Sequence, residues 1–339
     1  PNANASHAEG LFTRTSGIGS HSEGSGSIAS GIAAHAEGNN TVASAETSHA
    51  EGQFTTASGY SSHAEGQATL ASGGSSHAEG GRCTASGDWS HAEGQRTIAS
   101  YEYAHSEGGG TVASGIHSHA EGSTTTASGV ASHAEGALSV AIGEASHAEG
   151  LYTRSSGHYS HAEGDHTTSS GVASHAEGAI SVASGDASHA EGFRTLAQGG
   201  YSHAEGVRTL AQVDYSHAEG NYTTSSGVAS HAEGYYTIAS GNYQHVSGRF
   251  NVESSNTNHL FIIGNGDGVG SRSNILVVSS SGLIVNGYVT ASAIVVPQTS
   301  SLQPVIGSMF YNASLAKLFV YTGNTGTDGI VGWEATTLS

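Results

Sequence analysis

The chain has 339 residues, among them 50 Gly but only 7 Phe, 2 Trp and 1 Met, and its formal net charge is −19 at pH 7 with His neutral. Length alone would suggest two globular domains, but so few bulky apolar residues cannot fill two thick cores. Only Lys317 and eight arginines oppose the acidic residues, so no basic stripe exists to meet nucleic acid or anionic lipid, and no apolar run approaches the roughly 20 residues that carry a helix across a bilayer.

Residues 1–248 are one array. Eighteen histidines recur every 14 residues from His7 to His245, each inside a Ser-His-Ala-Glu-Gly phrase or a close variant, and the Glu two places on is kept from Glu9 to Glu233. An unbroken period without insertion describes one small unit stacked in register, that is, a solenoid. Residues 132–145 show the unit: two five-residue runs, Ser132 to Gly136 and Ser139 to Gly143, joined by the links Ala137-Leu138 and Glu144-Ala145. Small residues alternate in both runs (Ser132, Ala134, Gly136; Ser139, Ala141, Gly143), so each run has one small-residue face, and those two faces meet inside the coil. The Gly ending each run suits a positive φ or a close backbone approach. Gly at this frequency and the lack of a 3.6 period exclude a helix, and Gly is not every third residue as collagen requires. The expected fold is therefore all-β: a flat two-stranded coil per repeat, stacked as parallel β, with about 17 coils.

Ala, Ser, Thr and Gly cannot stabilise such a coil through a thick core, so stacking hydrogen bonds and contacts with other chains must contribute. Cys83, the single cysteine, excludes a disulfide within the chain and replaces a Ser or Thr of other repeats as a small substitute.

The second run's outward face varies (Arg14, Ile28, Val42, Thr56, Leu70, Arg154), and the links drift as solvated turns do. The first run's outward face does not. It carries His7, His21, His35, His49, His63, His77, His91, His105, His119, His133, His147, His161, His175, His189, His203, His217, His231 and His245. With them run Glu9, Glu23, Glu37, Glu51, Glu65, Glu79, Glu93, Glu107, Glu121, Glu135, Glu149, Glu163, Glu177, Glu191, Glu205, Glu219 and Glu233. The favoured reading is a contact between chains in which His of one chain bonds Glu of a neighbour, since a buried His or Glu needs a partner. It predicts loss of assembly when Glu protonates near pH 4. The alternatives are an exposed ladder left by repeat duplication and a row of metal sites. Metal is disfavoured because a site in every layer exceeds any structural need, so no metal or cofactor is assigned.

The phrase Ser139-Val140-Ala141-Ile142-Gly143 followed by Ser146-His147-Ala148-Glu149-Gly150 resembles the head repeat of YadA-type trimeric adhesins, and the likeness covers about residues 5–248. It implies a left-handed parallel β-roll, three of which pack about a common axis as a homotrimer. The family's Val and Ile line that axis, whereas the equivalent column here admits Arg14, Arg154, Gln198 and Gln212, so either strand could face it. The Ser-His-Ala-Glu-Gly variant and the exit segment from Gln244 to Val252, then Phe261 to Gly266 and Ser271 to Asn274, are more similar to phage and large-virus fibre proteins. No match to their self-cleaving chaperone domain is found. A bacterial member would carry a coiled-coil stalk and a membrane-anchor barrel, and Gly332 to Ser339 belong to neither.

Residues 249–296 read as a β-rich connector that closes the roll, with apolar runs Leu260–Ile263, Ile275–Val278, Leu283–Val285 and Ile294–Val296 bounded by Gly, Asn and Ser. Pro297 to Pro304 reads as a linker, and 297–339 as a small β tip with a hairpin across Asn312 to Ala316. Its aromatics Phe310, Tyr311, Phe319, Tyr321 and Trp333 are either the core of a cap or a receptor contact, the core being preferred. Asn265-Gly-Asp267-Gly lacks the other acidic ligands of a calcium loop and reads as a turn. Asn4, Asn39, Asn221 and Asn312 begin Asn-x-Ser/Thr triplets, relevant only in a glycosylating compartment.

The function expected is a non-catalytic homotrimeric fibre or spike shaft on a virion or otherwise extracellular, with host attachment at one end. Its partners would be its own copies, a baseplate, capsid or other fibre protein, and a host surface glycan or protein. A bacterial surface adhesin is the alternative, and an ice- or metal-binding solenoid a weaker one. An enzyme is excluded: catalysis needs one distinctive constellation in a cleft, not identical copies along a rod.

Overall fold

A computed structural model describes residues 5–287 and, further on, the backbone of three strands at 309–312, 317–325 and 331–336. The chain divides into two compact units, Pro1–Asn286 and Gly287–Ser339.

The first unit is a parallel β-solenoid of about 18 turns, and no helix occurs among the described residues. First-run strands, from His7–Ala8 to His245–Arg249, stack in one sheet; second-run strands, from Arg14–Thr15 to Ile238–Ala239, stack in the other. Each residue pairs with the one 14 places on, as in His91↔His105 and Glu93↔Glu107 or Leu70↔Thr84. The hydrogen bonds follow the same rule. In one coil, His133, Glu135, Ala137 and Val140 donate backbone N–H to Ser146, Ala148, Gly150 and Thr153 of the next, at 2.7–2.9 Å.

Between the sheets lies a core of alanine. Ala134 and Ala148 of the first run and Ala127 and Ala141 of the second are fully buried, and the pattern continues along the array. Ser and Thr fill the coil corners, where they bond locally: Ser132 Oγ donates to Gly129 O at 2.8 Å and Ser139 Oγ to Gly150 O at 3.1 Å. Cys83 sits in one such corner, fully buried, with its Sγ 3.2 Å from Gly94 O.

The small-residue faces meet as expected except at one column. Gly136 and its equivalents are not inside; they turn the chain out of the first strand with φ between 90 and 113°. That conformation is closed to residues with a Cβ, and a Cβ on Gly136 would also stand 2.3 Å from Gly150 O. The column holds Gly from Gly10 to Gly248 without exception. The glycine ending the second run has an ordinary φ, and its column admits Ala45, Tyr101 and Val213. Fidelity therefore tracks the backbone angle.

The links hide a second backbone demand. Their second residue lies at φ of 43–72° in coil after coil, with Ala, Tyr, Arg and Trp there as well as Gly. Leu138 and Ala145 take this angle so that their N–H groups can turn back to Ser123 O and Val130 O of the preceding coil, at 3.0 and 2.8 Å. Left-handed geometry costs a non-glycine residue about 1–2 kcal/mol, which the returned hydrogen bond offsets.

The roll does not stop at Gly248. His259–Asn265 adds one more parallel strand in register, His245↔Phe261, Val246↔Ile262 and Gly248↔Gly264. Larger side chains fill the end of the thin core: Val246 and Ile262 are fully buried where other coils have Ala. Asn251, in a Thr column, imitates a missing coil, since its Oδ1 accepts from Ile238 N at 2.8 Å and its Nδ2 donates to Ile238 O at 2.9 Å. The sheet then turns antiparallel through Asn274–Ser279 and Gly282–Val285. Asp267 forms an ion pair with Arg249 at 2.8 Å in a tight turn, as the turn reading of this segment has it. Ile294–Val296, the Pro297–Pro304 linker and Asn4 lie outside the described residues.

The second unit shows the expected hairpin, Met309–Asn312 against Lys317–Thr325, with Phe310↔Phe319 and Tyr311↔Leu318. Val331–Thr336 adds a third antiparallel strand that places Trp333 opposite Tyr321.

Two substitutions nine residues apart should act in opposite directions. Gly136→Ala should destabilise the roll by about 3 kcal/mol or more through backbone strain and overpacking. Ala145→Gly should stabilise it by about 1 kcal/mol by relieving the left-handed angle. Thermal unfolding followed by circular dichroism reads both, and equal or reversed shifts would contradict the backbone assignment.

Candidate functional site: the histidine and glutamate columns

The alternation of a strand puts His and the Glu two residues later on the same outward face. Stacking then turns each into a column. Imidazole rings lie nearly parallel, with centroids 4.7 Å apart for His35–His49 and 4.8 Å for His133–His147. The stack tilts only at its end, where His245 lies 41° from His231 and Phe261 covers it at 5.0 Å.

Each imidazole Nε2 points at carboxylates of its own chain. His147 Nε2 is 3.1 Å from Glu135 Oε1 in the preceding coil and 3.7 Å from Glu149 Oε2 in its own. His189 repeats this arrangement with Glu177 and Glu191 at 3.8 and 3.7 Å. In 16 coils, that of His189 among them, the Nε2 is buried and makes no hydrogen bond. The His–Glu pairing expected between chains thus has a counterpart within one chain, because the coil repeat sets carboxylates on both sides of every ring. The Nδ1 atoms of the column are neither buried nor bonded within the chain, so they are what a neighbour would meet.

Stacking also sets the charge. Burial, then the adjacent imidazoles, hold His105, His133, His161, His189 and His217 below the usual histidine range. From Glu135 to Glu177 the shifts alternate. Hydrogen bonds with Glu163 and Glu135 push Glu149 up to about 7, and those with Glu163 and Glu191, together with burial, do the same for Glu177. Glu163, bonded by Glu177 and Glu149, is lowered. Burial opposes the shift at Glu135, but bonds from Glu149, Glu121 and His147 lower it too. Raised and lowered carboxylates thus stand one coil apart in this stretch, as close like charges favour.

Groups such as His133, Glu135 and His147 place three ligand atoms within 4.8 Å of one another. Nearly parallel rings one coil apart aim their lone pairs side by side instead of at one point. Beside the Glu column an open groove runs along the turning glycines, lined from Glu135 to Gly192. It offers no enclosed, distinctive constellation for catalysis.

Other sequence candidates are scattered. His117 and His166 sit on links, His117 stacked on Tyr103 at 4.7 Å, and His259 Nδ1 is 2.9 Å from Ser254 Oγ. Phe310, Tyr311, Phe319, Tyr321 and Trp333 share one three-stranded sheet, and their side chains are outside the described residues. Asn39 and Asn221 hold the first link position. The sequence reading missed the aromatic stacks on the links, such as Trp89–Tyr103–His117 and Tyr222–Tyr236–Phe250. Their signal was present, since these residues are 14 apart.

With this geometry in place, the comparison with known families is informative. Residues 22–44, 50–76, 120–143, 134–153 and 218–243 match the YadA head domain repeat. The 14-residue period and stacked parallel coils agree with repeats of that kind, which form a structural adhesin domain and not an enzyme family. No curated protein matches the chain.

The two columns should make the stability of the roll depend on pH between about pH 4 and 7. Imidazoles with lowered folded-state pKa contribute stability that is present above 6.5 and lost as pH falls. Carboxylates raised to about 7 contribute stability that is present below 4.5 and lost as pH rises through 7. Acid loss therefore begins with the imidazoles, well above the pH 4 expected from ordinary carboxylates. Melting temperatures should change between pH 4 and 7 and stay level from pH 7.5 to 9; a profile flat over the whole range would contradict the assignment.

Proposed function

We propose that this chain is the shaft of a homotrimeric surface fibre of a virion, joined at one end to a baseplate, capsid or other fibre protein and carrying host attachment at the other. The observation that carries the reading is the core. Alanine on alanine between two sheets is too thin to stabilise a long coil without lateral support from sister chains. The match to YadA head repeats supports trimeric assembly and exposure at a surface. It also favours the second reading, a bacterial cell-surface adhesin. No catalytic role is assigned.

The purified chain should sediment as a trimer at micromolar concentration. Negative-stain images should show a shaft of about 80 Å for the repeat array, given coil spacings of 4.7–4.9 Å. A folded monomer would refute the trimer. Gold labelling of the C-terminus on intact particles separates virion fibre from bacterial adhesin by the particle it decorates.

A further inference from the structure

Along the His and Glu columns one small set of donor atoms recurs. An imidazole Nε2 lies between two carboxylate oxygens, one from the preceding coil and one from its own. Around His147 these are Glu135 Oε1 at 3.1 Å and Glu149 Oε2 at 3.7 Å. Around His189 they are Glu177 Oε1 at 3.8 Å and Glu191 Oε2 at 3.7 Å. His91 has the same pair from Glu79 and Glu93, at 3.6 and 4.0 Å. Nearly all of these separations are too long for a hydrogen bond, and in 16 coils the Nε2 is buried without one. Buried ring nitrogens left without a partner, coil after coil, call for a ligand from outside the chain.

We propose that the columns bind divalent transition ions, each held by one imidazole Nε2 and the two carboxylates that flank it. Four-coordinate zinc with bonds of about 2.1 Å sets its ligand atoms roughly 3.4 Å apart. That spacing lies inside the 3.1–3.8 Å found around His147 and His189. Imidazole nitrogen and carboxylate oxygen are donors that zinc accepts, and a water completes the fourth position. Each ion takes one ring, not two, because adjacent rings are parallel and their lone pairs do not converge. When Nε2 gives its lone pair to the ion, the proton of the neutral ring resides on Nδ1, which is neither buried nor bonded within the chain.

Charge thins the sites to alternate coils. Each carboxylate faces rings on both sides: Glu163 Oε2 is 3.9 Å from His161 Nε2 and Glu163 Oε1 is 3.9 Å from His175 Nε2. Neighbouring sites therefore compete for the same carboxylate, and ions at the coil spacing of 4.8 Å would repel each other. With two carboxylates neutralising one divalent ion, the 17 Glu of the column hold about eight ions per chain. Each ion also joins two coils, since Glu135 belongs to the coil before His147 and Glu149. The sites lie within one chain, so they exist whether that chain is single or trimeric.

Zinc alone is the probe. The full chain, stripped with a chelator, should take up about eight Zn2+ per chain in equilibrium dialysis. Its melting temperature should rise with zinc, because an ion that binds only the stacked coils stabilises them. X-ray absorption at the zinc edge should show one imidazole per ion, with oxygen in the other first-shell positions. Replacing Glu135, Glu149, Glu163 and Glu177 together by Gln should lower uptake by about two ions, as the charge rule requires, with the β signal in circular dichroism retained. Replacing His117, His158 and His166, which lie off the column, by Asn should leave uptake unchanged. Uptake of only one or two ions by the parent chain, two or more imidazoles per ion, or unchanged uptake by the folded Gln variant overturns the proposal. So does a loss confined to the Asn variant, which would put the ions on the links. If the Gln variant does not fold, the imidazole count on the parent chain decides.

Discussion

The interval of 14 residues between hydrogen-bonded neighbours is the constraint on which the rest of this molecule depends. Because each coil takes the same number of residues, every N–H in the strands meets a carbonyl 13 positions on, and the ladder runs from the first coil to the last. That regularity offsets in part how thin the core of alanine is inside each coil. Backbone pairing, not side-chain volume, holds one layer on the next. It also explains why the array has no insertions: one extra residue would move every later side chain to the other face.

The same constraint converts any single choice of residue into a column. In a globular domain a histidine has varied neighbours; in this roll it has a histidine above and below at about 4.8 Å. Few polar side chains accept such company. Neutral imidazole does, by stacking its rings, and a carboxylate does when alternate members keep a proton. The alternating shifts of Glu135, Glu149, Glu163 and Glu177 are this accommodation made visible along four coils.

The ends and corners carry the remaining cost. At each corner a residue adopts a left-handed angle so that its N–H reaches the preceding coil, and large residues such as Tyr201 and Tyr215 recover some of that cost by stacking on each other at 5.2 Å. At the C-terminal end no further coil exists to satisfy the backbone or fill the core. There Asn251 and Gln244 supply side-chain amides in place of missing peptide groups, and Val246 and Ile262 supply bulk.

How much of this was legible in the residues differs by element. The period of His and Glu, the alternation of small residues and the two glycines per unit determined the all-β class, the coil and its register, because a repeat that short admits one way of burying its small faces. The hairpin at 309–325 was likewise readable from its alternating aromatics. The extra strand at His259–Asn265 was not, since Phe261 and Ile263 stand where His and Glu had been and the spacing stretches from 14 to 16 residues. Nor were the left-handed links, where Leu138 or Tyr152 offers no hint of a positive φ. The alternation of shifts from Glu135 to Glu177 was equally hidden. It depends on the distance between coils and on which carboxylate each ring covers, and those are fixed only when the chain has closed on itself and set residues 14 apart in contact.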